Sequence, residues 1–167
     1  MKILIACEYS GTVRDAFAKK GHDVTSCDLL PTDKPGKHYQ GDVFDIINDC
    51  FDLMIAHPPC TYLTNAGVKH LHKDAKRWID LFEAAEFFKK LLNADIPKIA
   101  VENPIMHKYA KRLIGDVKQS QVSQSRSRLF FGSFIISSFT LLVGRSSGSP
   151  FSHRQVAFCS MCPNIHG

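Results

Sequence analysis

Asp52-Leu53-Met54-Ile55-Ala56-His57-Pro58-Pro59-Cys60-Thr61-Tyr62 runs from a short apolar segment straight into a stiff, chemically equipped turn. The apolar part has the length of a buried strand. The two prolines fix their own φ and restrict the residue before each, so Cys60 is expected to be held rigidly just past the strand end. A thiol in that position is presented rather than packed. Its use as a nucleophile requires thiolate character, which a nearby cation or a helix amino terminus promotes. The competing reading is a structural cysteine.

The same arrangement recurs on both sides of this segment. Lys2 to Cys7 is an apolar run ending in a Ser10-Gly11 turn, followed by a helical pattern with Val13, Phe17 and Ala18 on one face and Gly21 as its stop. Asp23 to Cys27 reads as a second strand ending at Asp28, and Lys98 to Val101 as another ending at Glu102-Asn103-Pro104. Between them, Asp74 can cap a helix whose apolar positions are Trp78, Leu81, Phe82, Ala85, Phe88 and Leu92. Strands alternating with helices, each strand followed at once by polar or reactive residues, predict a parallel α/β sheet with a site at the carboxyl ends of its strands.

Four strand ends therefore carry candidates. Glu8-Tyr9-Ser10-Gly11 suits close approach of a ligand to backbone amides at a helix start, with a plain turn as the alternative. Asp28 stands where an acid after a second strand hydrogen-bonds a ribose hydroxyl, unless it is an exposed loop aspartate. Gly41-Asp42 could meet an adenine amino group, again with a turn as the rival. Glu102 can face Cys60 across adjacent strand ends, where a carboxyl kept protonated by burial acts as a general acid; the alternative is an ion pair with a neighbour such as Lys98.

With 167 residues and 44% hydrophobic content, one core is expected. No apolar run approaches the roughly 20 residues that span a bilayer, and the first residues read as a strand rather than a signal peptide, so no membrane association and a cytoplasmic location are expected. The six cysteines form no dense disulfide framework. Cys159-x-x-Cys162 with His153 and His166 could make four zinc ligands, but a single such pair favours plain thiols, as solvated histidines are favoured for His70-x-His72; no metal is expected.

The net charge of +5 is unevenly placed: residues 1 to 116 hold all 16 acids and 16 of the 21 Lys and Arg. This predicts a core over 1–116 and, from a boundary near Val117, a Ser-rich basic segment over 117–167 that either completes the sheet or is partly disordered. That segment either contacts nucleic-acid phosphates or stands outside the ancestral fold.

Taken in order, the Gly11 turn, Asp28, Gly41-Asp42, Pro59-Cys60, Leu81-Phe82 and Glu102-Asn103 resemble motifs one to six of the DNA cytosine-C5 methyltransferases. The likeness is strongest to short phage-type members, with His-Pro-Pro-Cys-Thr-Tyr-Leu and Glu-Asn-Pro-Ile-Met-His, and covers about residues 1 to 112. It implies a Rossmann-like S-adenosylmethionine-dependent methyltransferase fold with an incomplete C-terminal region. It also implies S-adenosylmethionine as cofactor, held around Glu8, Tyr9, Ser10, Gly11, Asp28, Asp42 and Pro58, and DNA as partner. In that family the Pro-Cys thiol attacks C6 of a flipped-out cytosine and the glutamate contacts N3, roles that fall on Cys60 and Glu102. Ser123-Gln124-Ser125-Arg126-Ser127-Arg128 resembles the family's Gln-x-Arg-x-Arg, whose arginines, here Arg126 and Arg128, help hold the base and phosphate.

The family's Phe-x-Gly-x-Gly corresponds to Cys7, Tyr9 and Gly11, so only the last glycine is kept. The 39 residues after Arg128 are too few for both the family's target-recognition domain and its final helix, which leaves open a minimal enzyme, a fragment whose recognition a partner chain supplies, and an inactive relic. Two other functions stay open: an amino-methyltransferase acting on adenine N6 or cytosine N4, and a non-catalytic module that binds nucleic acid or nucleotide.

Overall fold

Runs such as Lys2-Ile3-Leu4-Ile5-Ala6 and Leu53-Met54-Ile55-Ala56 have no polar alternation, which marks strands covered on both faces. The computed structural model describes residues 1–115 and, beyond them, the backbone of two three-residue strands, and it places these runs at the centre of a sheet. The elements are β1 (Lys2–Ala6), α1 (Thr12–Ala18), β2 (Asp23–Asp28), β3 (His38–Gln40), α2 (Val43–Ile46), β4 (Leu53–Ala56), α3 (Asn65–Val68), α4 (Lys76–Leu92), β5 (Lys98–Val101) and α5 (Lys108–Ile114). All five strands are parallel, in the order β3-β2-β1-β4-β5. The result is an α/β fold with a five-stranded parallel sheet of Rossmann-like character.

Side chains alternate across this sheet with period two. Leu4, Ala6, Met54, Ala56, Ile99 and Val101 face one layer, where α4 contributes Leu81, Ala85, Phe88, Leu91 and Leu92. Ile3, Ile5, Val24, Leu53, Ile55 and Ala100 face the other, against Val13 and Phe17 of α1. The expected α4 stripe needs correction: Leu91 is inside, whereas Trp78 is 39% and Phe82 54% exposed. Phe82 follows Leu81 by one residue and so lies about 100° round the helix from it. The α4 N-cap is Ala75 rather than Asp74, which stands just before it with its Oδ1 accepting the Lys76 amide at 2.9 Å.

Register brings the strand ends level. Ala6 pairs with both Cys27 and Ala56, and Ala56 with Val101, so the chain leaves β1, β2, β4 and β5 along one edge. Two further strands, β6 (Lys118–Ser120) and β7 (Gln155–Ala157), pair in parallel with each other. The boundary near Val117, Arg126 and Arg128, and the Cys159, Cys162, His153 and His166 group all lie outside the described residues. No helix among the described residues is long and apolar enough to cross a membrane.

Candidate active site

The turn after β1 is built by a left-handed residue and a buried acid. Cys7 has φ +59°, an uncommon conformation for a side chain with a Cβ, and it turns the chain so that the Glu8 amide donates to the Cys27 carbonyl at 3.0 Å. Glu8 is buried, and its carboxylate accepts the amides of Val13 at 2.6 Å and Arg14 at 3.2 Å and the Ser10 hydroxyl at 3.2 Å. Ser10 Oγ in turn accepts the Thr12 amide at 3.2 Å. The helix-start amides expected to meet a ligand are thus satisfied by the protein's own carboxylate, which caps α1. Tyr9 is 44% exposed, and its carbonyl accepts the Asp33 amide at 3.0 Å.

Gly11, at φ +66°, lets the guanidinium of Arg14 lie against it, where a Cβ would collide with Nη2. Arg14 is 2% exposed and was not legible as a buried residue. Its Nη1 donates to Ser26 Oγ and Thr32 Oγ1, both at 3.2 Å, and its Nη2 to the carbonyls of Lys34 and Pro35, both at 3.1 Å. Nε donates to Asp15 Oδ1 at 3.0 Å. One side chain therefore pins the loop between β2 and β3 onto α1, and that loop begins with Leu29, directly after Asp28.

Beside this edge lies a cavity of about 420 Å³ whose wall includes Asp28, Leu29, Asp42, Pro59, Tyr62, Asp80, Glu83 and Phe87. That size suits a ligand as large as a nucleoside derivative. Four carboxylates line it, and among the described residues no Lys, Arg or His does. Cys7 and Cys27 complete the wall, and both thiols feel this setting. Burial and then Asp28 push Cys7 up to about 12, and the same two causes push Cys27 up to about 11. Asp42 has a second task, since its Oδ1 accepts the Phe44 amide at 3.0 Å and caps α2.

Of the residues expected around the cofactor, Asp28 and Asp42 meet at this cavity, while Glu8, Tyr9, Ser10 and Gly11 shape the turn next to it. Pro58 is buried, and it is Pro59 that forms wall.

Cys60, the next residue, is half-buried, and its carbonyl accepts the amides of Leu63 at 3.0 Å and Thr64 at 3.2 Å. The following loop is stitched to the one after β5: Thr64 bridges Met106, and the His107 amide donates to the Leu63 carbonyl at 3.0 Å. His107 is 3% exposed; its Nδ1 accepts the Ala110 amide at 3.1 Å, so its Nε2 carries the proton and donates to the Tyr62 carbonyl at 2.9 Å. The segments bearing Cys60 and Glu102 are thereby locked together.

Glu102 leaves β5 beside His57, its amide donating to the Ala56 carbonyl at 2.8 Å. The partner of its carboxyl is His57 Nδ1 at 3.3 Å rather than Lys98, and both side chains are 23% exposed. His57 Nε2 is buried with no hydrogen-bond partner among the described residues. A carboxyl and an imidazole in contact can pass a proton between them, which neither does as readily alone. His57 was missed because its importance lies in pairing across strands, although it sits inside the Pro-Pro-Cys segment itself.

No protein-family model matches the chain, and no curated protein matches it either.

Proposed function

We propose that the chain transfers a methyl group from S-adenosylmethionine to C5 of cytosine in DNA through a covalent intermediate on Cys60, on a methyltransferase version of this fold. The observation that carries the reading is the sign of the charge at the cofactor edge. Parallel α/β sheets commonly bind dinucleotides or nucleotides, whose phosphates sit on free amides at the first helix start. Here Glu8 occupies those amides, and among the described residues the adjoining cavity has four carboxylates and no cation. A polyphosphate would be repelled, whereas an adenosine joined to a cationic group fits. Asp28 would take the ribose hydroxyls, Asp42 the adenine edge, and Leu29 an apolar ring face.

When bound, S-adenosylmethionine supplies an electrophilic methyl group on a positively charged sulfur. The thiolate of Cys60 adds to C6 of the cytosine, which makes C5 nucleophilic enough to take the methyl. Glu102 holds the proton at the ring N3 that this addition requires, and His57 orients its carboxyl. Loss of the C5 proton to water and elimination of the Cys60 thiolate restore the aromatic ring and the enzyme, with the donor's sulfur released as a neutral thioether. Pro59, one residue from Cys60, forms cavity wall, so donor and acceptor would meet at the Pro59-Cys60 peptide.

The test is incubation with S-adenosylmethionine and duplex DNA containing 5-fluorocytosine, whose fluorine blocks the final elimination. A stable protein–DNA adduct is expected, and Cys60→Ser should abolish it. Methyl transfer that survives Cys60→Ser would overturn the C5 mechanism in favour of an amino-methyltransferase. Cofactor binding without adduct or transfer would leave a non-catalytic module.

A further inference from the structure

The net charge excess of the sequence lies beyond residue 116, yet the described fold has a one-sided charge distribution of its own. Downstream of Cys60, the stretch from Tyr62 to Ile79 carries Lys69, Lys73, Lys76 and Arg77 against a single acid, Asp74. Downstream of Glu102, the stretch from Asn103 to Gly115 carries Lys108, Lys111 and Arg112 and no acid at all. Asp74 is engaged by the α4 amide of Lys76.

Folding brings these two stretches together. Tyr109 of α5 packs edge-on against Trp78 at 5.2 Å between ring centroids and against His72 at 5.8 Å. The Thr64–Met106 bridge and the His107 bond to Tyr62 fix the same two stretches nearer the strand ends. On α5, Lys108, Lys111 and Arg112 follow i, i+3, i+4 spacing and share the outward face opposite buried Ala110. Lys69, Lys73 and Lys76 are likewise exposed. Arg77 lies over the Tyr62 ring at 5.4 Å, close to the turn that follows Cys60.

The local field reflects this crowding. The His70 ring is held below its ordinary value, first by desolvation and then by the positive charges of Lys69, Lys73 and Arg77. Like charges gathered in this way are relieved when a polyanion meets them.

We infer that the basic face formed by the α3–α4 segment and α5 is a docking surface for the phosphate backbone of duplex DNA on the folded core itself. This rests on the methyl-transfer reading for its choice of partner. The fit is one of charge and place: a duplex presents a phosphate about every 1.7 Å of axis, and both stretches start at the residues proposed to act on the base. The surface reads no sequence, because Lys and Arg contacts to phosphate set position and register only.

The experiment measures binding of a fluorescein-labelled 20-base-pair duplex by anisotropy at several salt concentrations. It uses the full chain, the triple variant Lys69→Ala/Lys73→Ala/Lys76→Ala, the triple variant Lys108→Ala/Lys111→Ala/Arg112→Ala, and the double variant Arg126→Ala/Arg128→Ala. Each phosphate contact removed should lower the slope of log affinity against log salt by about 0.9, so each triple variant should lose up to about 2.7 and bind at least about tenfold more weakly near physiological salt. The substituted side chains of both triples are exposed, and unchanged thermal melts should accompany the loss. Unaltered affinity and slope in both triples, with binding lost only in the double variant, would overturn the inference. So would polyglutamate displacing the duplex as well as unlabelled DNA does. No cofactor or turnover is involved, so salt-dependent binding through this face in a chain that forms no Cys60 adduct would sink the methyl-transfer reading alone.

Discussion

Replacing Arg14 is the sharpest test of how this fold holds the edge proposed to bind the cofactor. Three of the five guanidinium hydrogen bonds, to Thr32 Oγ1 and to the carbonyls of Lys34 and Pro35, reach across to the loop between β2 and β3. Hydrogen bonds to a charged group contribute about 1.5–3 kcal/mol each, but Arg14 is 2% exposed, so its lost hydration offsets part of that sum. In Arg14→Met the charge goes and the loop carbonyls turn to water as the loop lifts. A net loss of about 3 kcal/mol is expected, or about 10 °C in Tm for a chain of this size.

Arg14→Lys should be no better. A lysine keeps the charge in the buried position but offers a point donor in place of a flat fork that spans five acceptors. Urea and thermal melts followed by far-ultraviolet circular dichroism measure both variants. The loosened loop carries Leu29, so calorimetry should also show weaker S-adenosylmethionine binding. Wild-type stability in Arg14→Lys, or a loss below about 1 kcal/mol in Arg14→Met, would refute the idea that the fork clamps the loop. Gly36→Ala should act in the same direction, since its Cβ would lie 2.5 Å from Arg14 Cζ.

Asp42→Asn keeps a good helix cap but removes one cavity charge, so melting should be unchanged while calorimetry shows weaker cofactor binding; Asp42→Ala should in addition cost about 1 kcal/mol. Cys7 is protonated in the fold up to about 12, against 9.0 for an ordinary thiol. Its contribution is therefore full below about pH 9 and is lost as pH rises toward 12, at no more than about 1.4 kcal/mol per pH unit. Melts from pH 8.5 upward should fall less steeply in Cys7→Ser, and a parallel decline would count against the assignment. His57→Ala should slow adduct formation about 10- to 100-fold with cofactor affinity unchanged, because His57 is not in the cavity wall. Combined with Glu102→Gln it should add little, and a fully additive loss would mean the two side chains do not act as a unit.

The central strands were readable because burial on both faces leaves continuous apolar runs, and their polar successors marked the edge that holds the site. β3 was not, since His38-Tyr39-Gln40 is a three-residue strand whose only partner among the described residues is β2 and whose residues are polar or aromatic. Arg14 looked like an ordinary surface helix residue; only its distant partners Ser26, Thr32, Lys34 and Pro35 give it a reason to be buried. Glu8 was legible as an acid in the right turn, but which group would hold the helix amides depended on where the chain folded back. Trp78 and Phe82 were misplaced for the opposite reason. Their hydrophobicity was counted, whereas the i, i+4, i+7 run of Leu81, Ala85 and Phe88 set the inward face.

The fold by itself does not choose among the many activities that parallel α/β sheets support. The reading we propose rests on where charge stands relative to the Pro59-Cys60 peptide. On one side the cavity is lined by Asp28, Asp42, Asp80 and Glu83; beyond Cys60 the chain runs into the face of Lys69, Lys73 and Arg77. A cationic donor and an anionic acceptor would each be drawn to its own side and repelled from the other. An enzyme joining two neutral substrates would have no use for that separation. A nucleotide-binding module would place its cations at the cavity, and among the described residues none lines it.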